Sequence, residues 1–318
     1  GMAFQDGEYD EARTLWDRYR ARYPGGDRFL QATYWAARAR EAAGDSAGAA
    51  TLYRDVMQTE RDGYYALLAA RRLGVPFWPI PLEASPAAYP AADRRVAEWM
   101  RELDLLRDAG FDAAAEALAE EIGDRAGSDR PTRYAVAEAL AERGYSRRAI
   151  LLGIGLQGSG RPDERVLRIL HPFPYRTLIT EEARDRGLDP AIAAALIRQE
   201  SMFERRITSP AGARGLMQIM PATGAELADA VGMERWDADL LYHPEINVHL
   251  GVRYIAQHME SYDGSLPSVF SAYNAGPHRV ERWKDYAEYG DDELFTERIP
   301  FSETRNYVRI LTRNRALY

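Results

Sequence analysis

Four glycines limit what the first half of this chain can become. Gly7-Glu-Tyr-Asp-Glu-Ala12 recurs as Gly44-Asp-Ser-Ala-Gly-Ala49, then as Gly110-Phe-Asp-Ala-Ala-Ala115 and Gly144-Tyr-Ser-Arg-Arg-Ala149. The period is about 34 residues, and a helical pattern stands on both sides of each glycine. Glycine permits the left-handed turn that follows a helix C-terminus. The alanine closing each motif lets two helices approach. The repeats therefore predict paired helices that stack, each pair burying its apolar face on its neighbours.

Such a unit is that of tetratricopeptide-like arrays. Tyr64 to Leu73 adds one more amphipathic segment. Val75 to Pro90 carries five prolines and reads as a connector. A polar break follows at Gly123 to Pro131, and a second connector, rich in glycine, at Leu151 to Pro174. Past Tyr175 the helical signals continue between longer polar loops. Pro221, Pro244, Pro267 and Pro277 each stand where a helix can begin. No stretch has the period-2 pattern of a strand, so the fold class is all-α.

Composition narrows the function. With 46% hydrophobic residues the 318-residue chain packs as a globular protein of two or three domains. Its 41 Lys and Arg against 49 Asp and Glu give a net charge of -8, which argues against a general nucleic-acid binder. The absence of cysteine excludes disulfides, thiol catalysis and cysteine zinc sites. The five histidines show no metal-ligand spacing, so neither metal nor cofactor is expected. No apolar run has the length of a membrane span. Gly1-Met2 reads as an added leader before a helical pattern, so the chain is expected to begin inside a longer protein with any signal peptide outside it.

The chemistry gathers in four clusters. The apolar run from Asp189 to Glu200 starts as a helix, with Asp189 as cap and Pro190 in the first position. It ends at Gln199-Glu200-Ser201. A carboxylate there is either solvated or held in a dry cleft, where its pKa rises and it serves as an acid. The second cluster is Ser209 to Met220, a loop of small residues that presents Gln218 and Met220 before Pro221. The third is Ser271-Ala-Tyr-Asn-Ala-Gly276, and the fourth runs from Ile299 through Glu303 and Arg305 to Tyr307.

Together these clusters resemble the lytic transglycosylases that cleave bacterial peptidoglycan, whose catalytic domain is similar to goose-type lysozyme. The pattern is Glu200-Ser201, then Gly215-Leu-Met-Gln218, then Ala272-Tyr-Asn-Ala-Gly276, then Glu303-Thr-Arg-Asn-Tyr-Val308. The likeness extends to the large soluble members, in which a helical superhelix precedes the catalytic domain. It implies a helical-repeat domain over 1–74 (truncated at its N-terminus), a helical linker domain over 75–160, and a lysozyme-like catalytic domain over 161–318. One departure stands out. Many members place Asn-Pro shortly after Glu-Ser, whereas this chain reads Phe203-Glu-Arg-Arg-Ile207.

What the resemblance implies is specific. Glu200 is the single catalytic acid and then base, and the substrate's N-acetyl group supplies the help that a second carboxylate gives elsewhere. The 6-hydroxyl of N-acetylmuramic acid attacks C1, so 1,6-anhydro products form. Ser201, Ser209, Gln218, Met220, Tyr273, Asn274 and Glu303 are the implied substrate residues. Peptidoglycan glycan strands are the implied partner, the periplasm is the implied compartment, and the repeats leave room for cell-wall synthesis or division proteins. Each residue also has a plainer reading: core packing for Tyr273 and Met220, a tight turn for Gly215, helix capping for Asn274, a surface ion pair for Glu303 with Arg305, a solvated side chain for Glu204. A hydrolytic muramidase on the same fold, and an inactive binding protein, are the alternative functions.

Overall fold

In a computed structural model that describes residues 2–77, 89–157 and 163–318, all four repeat glycines close a helix in the same way. Gly7, Gly44, Gly110 and Gly144 have φ of 79°, 85°, 77° and 88°. In each, the amide after the glycine donates to a carbonyl five residues back, as Asp45 N does to Arg40 O at 2.9 Å and Tyr145 N to Leu140 O at 2.9 Å. The glycine amide bonds three residues back, as in Gly44 N to Glu41 O at 3.1 Å. This double bond satisfies carbonyls that a helix end leaves open. Ala12, Ala49, Ala115 and Ala149 are all 2% exposed or less, as expected where helices touch.

The chain divides into two compact units, one of residues 1–80 with 262–317 and one of 81–261 with Tyr318. The sequence-based boundary at 160/161 falls within residues 158–162, which lie outside the described residues, as do residues 78–88 and with them most of the proline-rich connector that follows the boundary at 74/75. Among the described residues there are helices and isolated bridges but no strand.

The first unit begins with repeat helices Tyr9–Arg22, Phe29–Ala42, Ser46–Thr59 and Tyr64–Leu73, around a core that includes Tyr34, Trp35, Tyr53 and Val56. Helices Leu266–Ala275, Pro277–Trp283, Asp292–Arg298 and Ser302–Arg315 belong to the same unit. Two carboxylates one helical turn apart join them to the repeats. Glu293 accepts from Tyr34 Oη (2.6 Å) and Arg72 (2.9 Å), and pairs with Arg38. Glu297 accepts from Tyr65 Oη (2.7 Å) and from Gln31 and Arg309. These charges are largely out of water, so the many donors are what make the burial tolerable.

The second unit holds the other two repeat pairs, Pro90–Asp108 with Asp112–Arg125 and Arg130–Glu142 with Ser146–Ile154. The expected second connector is partly helical. Ser146–Ile154 runs through its start, and Glu164–Leu170 occupies its middle. Gly153 serves packing there, because a Cβ would lie 2.7 Å from Ile169. Asp163 caps the second helix by accepting from Val166 N at 2.9 Å. Prolines open helices at Pro221–Ala230 and Pro244–Ser261 here, and at Pro277–Trp283 in the first unit, as the sequence indicates; Pro267 takes the second position of its helix.

Candidate active site

The helix Pro190–Ser201 forms for the reasons legible in its sequence. Asp189 accepts from Ala191 N at 3.0 Å, and Pro190, whose missing N–H costs nothing at a helix start, takes the first position. Ile192 to Ile197 are six consecutive residues at 3% exposure or less. A helix apolar on every side is enclosed by its unit. Its direction and depth are therefore fixed by packing, and Glu200, half-buried, sits on its last turn.

The end of this helix is tied down three times. Ser201 is 3% exposed, and its hydroxyl donates to Leu216 O at 2.7 Å, with Ile197 O at 3.1 Å. The same oxygen accepts from Phe203 N at 3.1 Å. Arg198 Nε donates to Leu170 O at 2.6 Å. Met202 and Phe203 then adopt left-handed φ of 51° and 65°. Two such residues in succession cost about 1–3 kcal/mol each, and persist only where surroundings hold them. Phe203 is held by burial at 2% exposure, beside the rings of Tyr318.

The loop from Ile207 to Met220 folds as a small hydrogen-bonded knot. Ser209 N bonds Ala213 O (2.9 Å), Gly215 N bonds Ile207 O (3.1 Å), and Arg214 and Ile219 exchange bonds at 3.0 and 3.1 Å. Ser209 Oγ accepts from Ala213 N at 3.0 Å. Gly215 has φ of 76°, and a Cβ there would stand 2.0 Å from Leu241 O and 2.4 Å from Asn247 Nδ2. Only glycine fits.

Asn247, on the helix Pro244–Ser261, is the residue that sequence reasoning missed. It is fully buried. Its Oδ1 accepts from Met217 N at 2.7 Å, while Nδ2 donates to Arg214 O (3.0 Å) and Leu241 O (2.8 Å). The signal was available as an amide in the otherwise apolar inner face Val248, Leu250, Gly251, Val252, Ile255. Nothing local in the sequence says which backbone it meets.

Gln218, half-buried at φ of 50°, donates through Nε2 to Gly215 O (2.9 Å) and Ile207 O (3.2 Å). Two carbonyls at one end fix the amide orientation and use both of its N–H groups. Its Oε1 points the other way, so Gln218 offers a ligand an acceptor. Met217 is buried against Gly251, and Met220 is 42% exposed.

Glu200, Ser201, Ser209, Gln218 and Met220 thus share the second unit, with Ser201 and Leu216 joining the helix to the loop. Tyr273, Asn274 and Glu303 lie in the first unit. Tyr273 and Asn274 are half-buried on Leu266–Ala275, and Glu303 is exposed in the first turn of Ser302–Arg315. Thr304 donates to Asn274 Oδ1 at 2.7 Å, which brings the third and fourth clusters together. Arg305 bonds Ile299 O at 2.9 Å. Among the described residues no group of three or more His, Asp and Glu is placed to hold a metal ion.

Residues 177–296 match the family model described as Transglycosylase SLT domain. The chain is 29% identical over 278 residues to the soluble lytic murein transglycosylase of Salmonella typhimurium, covering 87% of this chain and 41% of that protein. It is 27% identical over 278 residues to the Escherichia coli protein of the same description, with the same coverage. The chain therefore spans under half the length of these relatives. Among solved structures, it superposes on lytic transglycosylase Slt from Pseudomonas aeruginosa, an inactive Glu-to-Gln mutant. The TM-score is 0.79 at 29% identity, covering 98% of this chain and 49% of that one. The 70-kDa soluble lytic transglycosylase of Escherichia coli shares the fold, with TM-score 0.81 at 24% identity over 100% of this chain and 49% of that one.

Proposed function

We propose, because residues 177–296 match the Transglycosylase SLT domain model, that the protein is a lytic transglycosylase. It cleaves the β-1,4 bond between N-acetylmuramic acid and N-acetylglucosamine in peptidoglycan. Glu200 is its acid and then its base. The observation that carries this reading is the framing of Glu200: a carboxylate on the last turn of an enclosed helix, locked by Ser201 to the backbone of the loop that presents Gln218. An acid that acts alone needs such placement, because no second carboxylate shares the work.

The steps balance without water. Glu200 gives its proton to the N-acetylglucosamine O4 as the C1–O4 bond breaks. The N-acetyl group of the substrate stabilises the positive charge at C1. The muramyl 6-hydroxyl then bonds C1 and returns its proton to Glu200, leaving a 1,6-anhydro ring. Gln218 Oε1 accepts a hydrogen bond from a sugar hydroxyl or amide. Ser209, Met220, Tyr273, Asn274 and Glu303 engage the glycan. Ser201 acts on Glu200's position instead, since its hydroxyl is occupied by backbone. The chain works in the periplasm on glycan strands. Its domains follow the 1–74, 75–160 and 161–318 division, and its repeats offer a face to cell-wall synthesis or division proteins. The Pseudomonas aeruginosa relative is described as inactive when a glutamate becomes glutamine, which supports an essential glutamate.

The test is the mass of what purified sacculi release. Wild type is expected to yield muropeptides one water lighter than hydrolysis products. Glu200→Gln is expected to lose turnover by at least about a thousandfold while keeping its helical circular dichroism. Near-normal turnover of the variant refutes the mechanism. Products one water heavier point to a hydrolytic muramidase, and binding without release points to an inactive binding protein.

A further inference from the structure

Against the core of the first unit lies a cavity of about 210 Å³ that the chemistry above does not use. Phe4, Trp16, Gln31, Trp35, Leu294 and Glu297 line it. They come from the short helix Met2–Gln5, the repeat helices Tyr9–Arg22 and Phe29–Ala42, and the later helix Asp292–Arg298. Phe4 and Trp35 meet edge to face, with centroids 5.4 Å apart at 75°. Trp35 is 4% exposed, yet among the described residues its indole N–H has no hydrogen-bond partner, and neither has that of half-buried Trp16. A buried indole N–H ordinarily finds a partner, so a molecule in the cavity is what satisfies it. Gln31 spends an N–H on Glu297, which leaves its Oε1 as an acceptor.

The lining selects among ligands. A cation would share the ring faces with Arg38, whose guanidinium already stands 5.6 Å from the Phe4 centroid and 5.4 Å from that of Trp35. It would gain little from Glu297, which accepts from Tyr65 Oη at 2.7 Å and is offset by Arg309. An anion meets no Lys or Arg among the lining residues. A neutral sugar suits both wall and rim. Its C–H faces are apolar and lie on aromatic rings, while its hydroxyl and amide groups need donors and acceptors at the edge. The volume is roughly seven waters' share, room for one sugar ring.

We propose that this cavity is an accessory glycan site that seats one N-acetylglucosamine residue. The sugar face lies on Trp16, the indole N–H of Trp35 donates to a sugar oxygen, and Gln31 Oε1 accepts from the acetamido N–H. The muramyl neighbour is excluded because its lactyl arm has no room. The choice of sugar rests on the proposed peptidoglycan substrate. The residues here are not those assigned to cleavage, so the site holds a strand without acting on it.

The experiment follows the indole N–H resonances of the full, nitrogen-labelled chain during titration with N,N′-diacetylchitobiose. The chain has six tryptophans, so Trp16→Phe and Trp35→Phe serve to assign the two resonances in question. Both are expected to move together with one affinity. Trp16→Ala and, separately, Gln31→Met are each expected to weaken the Trp35 response about tenfold, the loss of one stacking face or one hydrogen bond in a dry site. Gln31→Met keeps the side-chain length and leaves Glu297 its bonds to Tyr65 and Arg309, and circular dichroism checks that both variants keep the fold. Resonances of Trp16 and Trp35 that stay still at saturating sugar, or equal affinity in wild type and both variants, overturn the site. Choline moving them at lower concentration than the sugar overturns the neutral ligand, and maltose binding as tightly overturns the choice of N-acetylglucosamine. Sacculi left undigested by wild type sink the enzymatic reading while this titration still decides the cavity.

Discussion

Asn247→Ala removes one side chain and opens three backbone groups in the loop that faces Glu200's helix. The amide of Met217 loses its acceptor at 2.7 Å, and the carbonyls of Arg214 and Leu241 lose donors at 3.0 and 2.8 Å. A buried donor left without partner costs about 1–3 kcal/mol, and carbonyls with a second lone pair cost less. Water entering the vacated space recovers part, so the expected net loss is about 3 kcal/mol. This equals roughly a hundredfold in the local opening equilibrium. Hydrogen exchange at the Met217 amide reads it directly, with protection expected to fall about a hundredfold. Asn247→Asp sharpens the test. It keeps the acceptor for Met217 but turns an oxygen toward two carbonyl oxygens. Burial raises that carboxyl's pKa, and its neutral form regains one donor. A group whose folded pKa is raised loses stability as pH rises, so this variant should approach wild type near pH 4 and fall behind at pH 7. Met217 protection within threefold of wild type in Asn247→Ala would refute the clamp.

The same loop and the rest of the chain give three shorter expectations. Gly215→Ala should cost more than about 2 kcal/mol in urea unfolding, from the left-handed strain plus the 2.0 Å approach to Leu241 O, whereas Gly212→Ala, at φ of 91° with open space around it, should cost about 1 kcal/mol. Burial lowers His258 from 6.5 to about 4. The native state therefore refuses a proton that the unfolded chain accepts, so stability is full above pH 6.5 and is lost as pH falls towards 4. The loss is at most about 3 kcal/mol, and urea midpoints for His258→Gln should lack that share of the acid slope. In the first unit Glu293→Gln strands Arg38, whose side chain is 9% exposed, and leaves it only Asp291 at 3.7 Å and Glu41 at 3.8 Å. Urea unfolding should report a loss of about 3 kcal/mol, and a change under 0.5 kcal/mol would mean the cluster is better solvated than its geometry implies.

The repeats were readable because their rule is local. A helix that stops needs a residue tolerant of positive φ, and two touching helices need a small one, so Gly44 and Ala49 are legible without knowing any partner. The helix starts at Pro190, Pro221, Pro244 and Pro277 were legible for the same reason. The second connector misled because glycine carries two meanings. Gly153 was read as a chain breaker, while it serves as a point of close contact with Ile169, and only the tertiary structure separates the two. The grouping of helices 266–315 with the first repeats was not legible either. It depends on Glu293 meeting Arg38 and Arg72 across more than two hundred positions, and acidic residues on a short helix look solvated until their donors are known.

Ser201 is a motif residue whose hydroxyl is spent on the backbone. The Glu-Ser pair suggests two polar groups offered to a sugar, but the hydroxyl is buried and bonded to Leu216 O and Phe203 N. Gly215 and Asn247 serve the same end from the other side, by fixing the backbone that Ser201 grips. The physical reason lies in the number of acids. In the proposed mechanism one acid works alone, so the distance from Glu200 to the bond it would protonate depends on the frame that holds its helix. Effective-molarity effects make that distance worth several kcal/mol, so residues that set it are held to the same standard as the acid. Short motifs around Glu200 therefore encode backbone placement as much as contact, and the departure at Phe203-Glu-Arg-Arg falls where that frame ends.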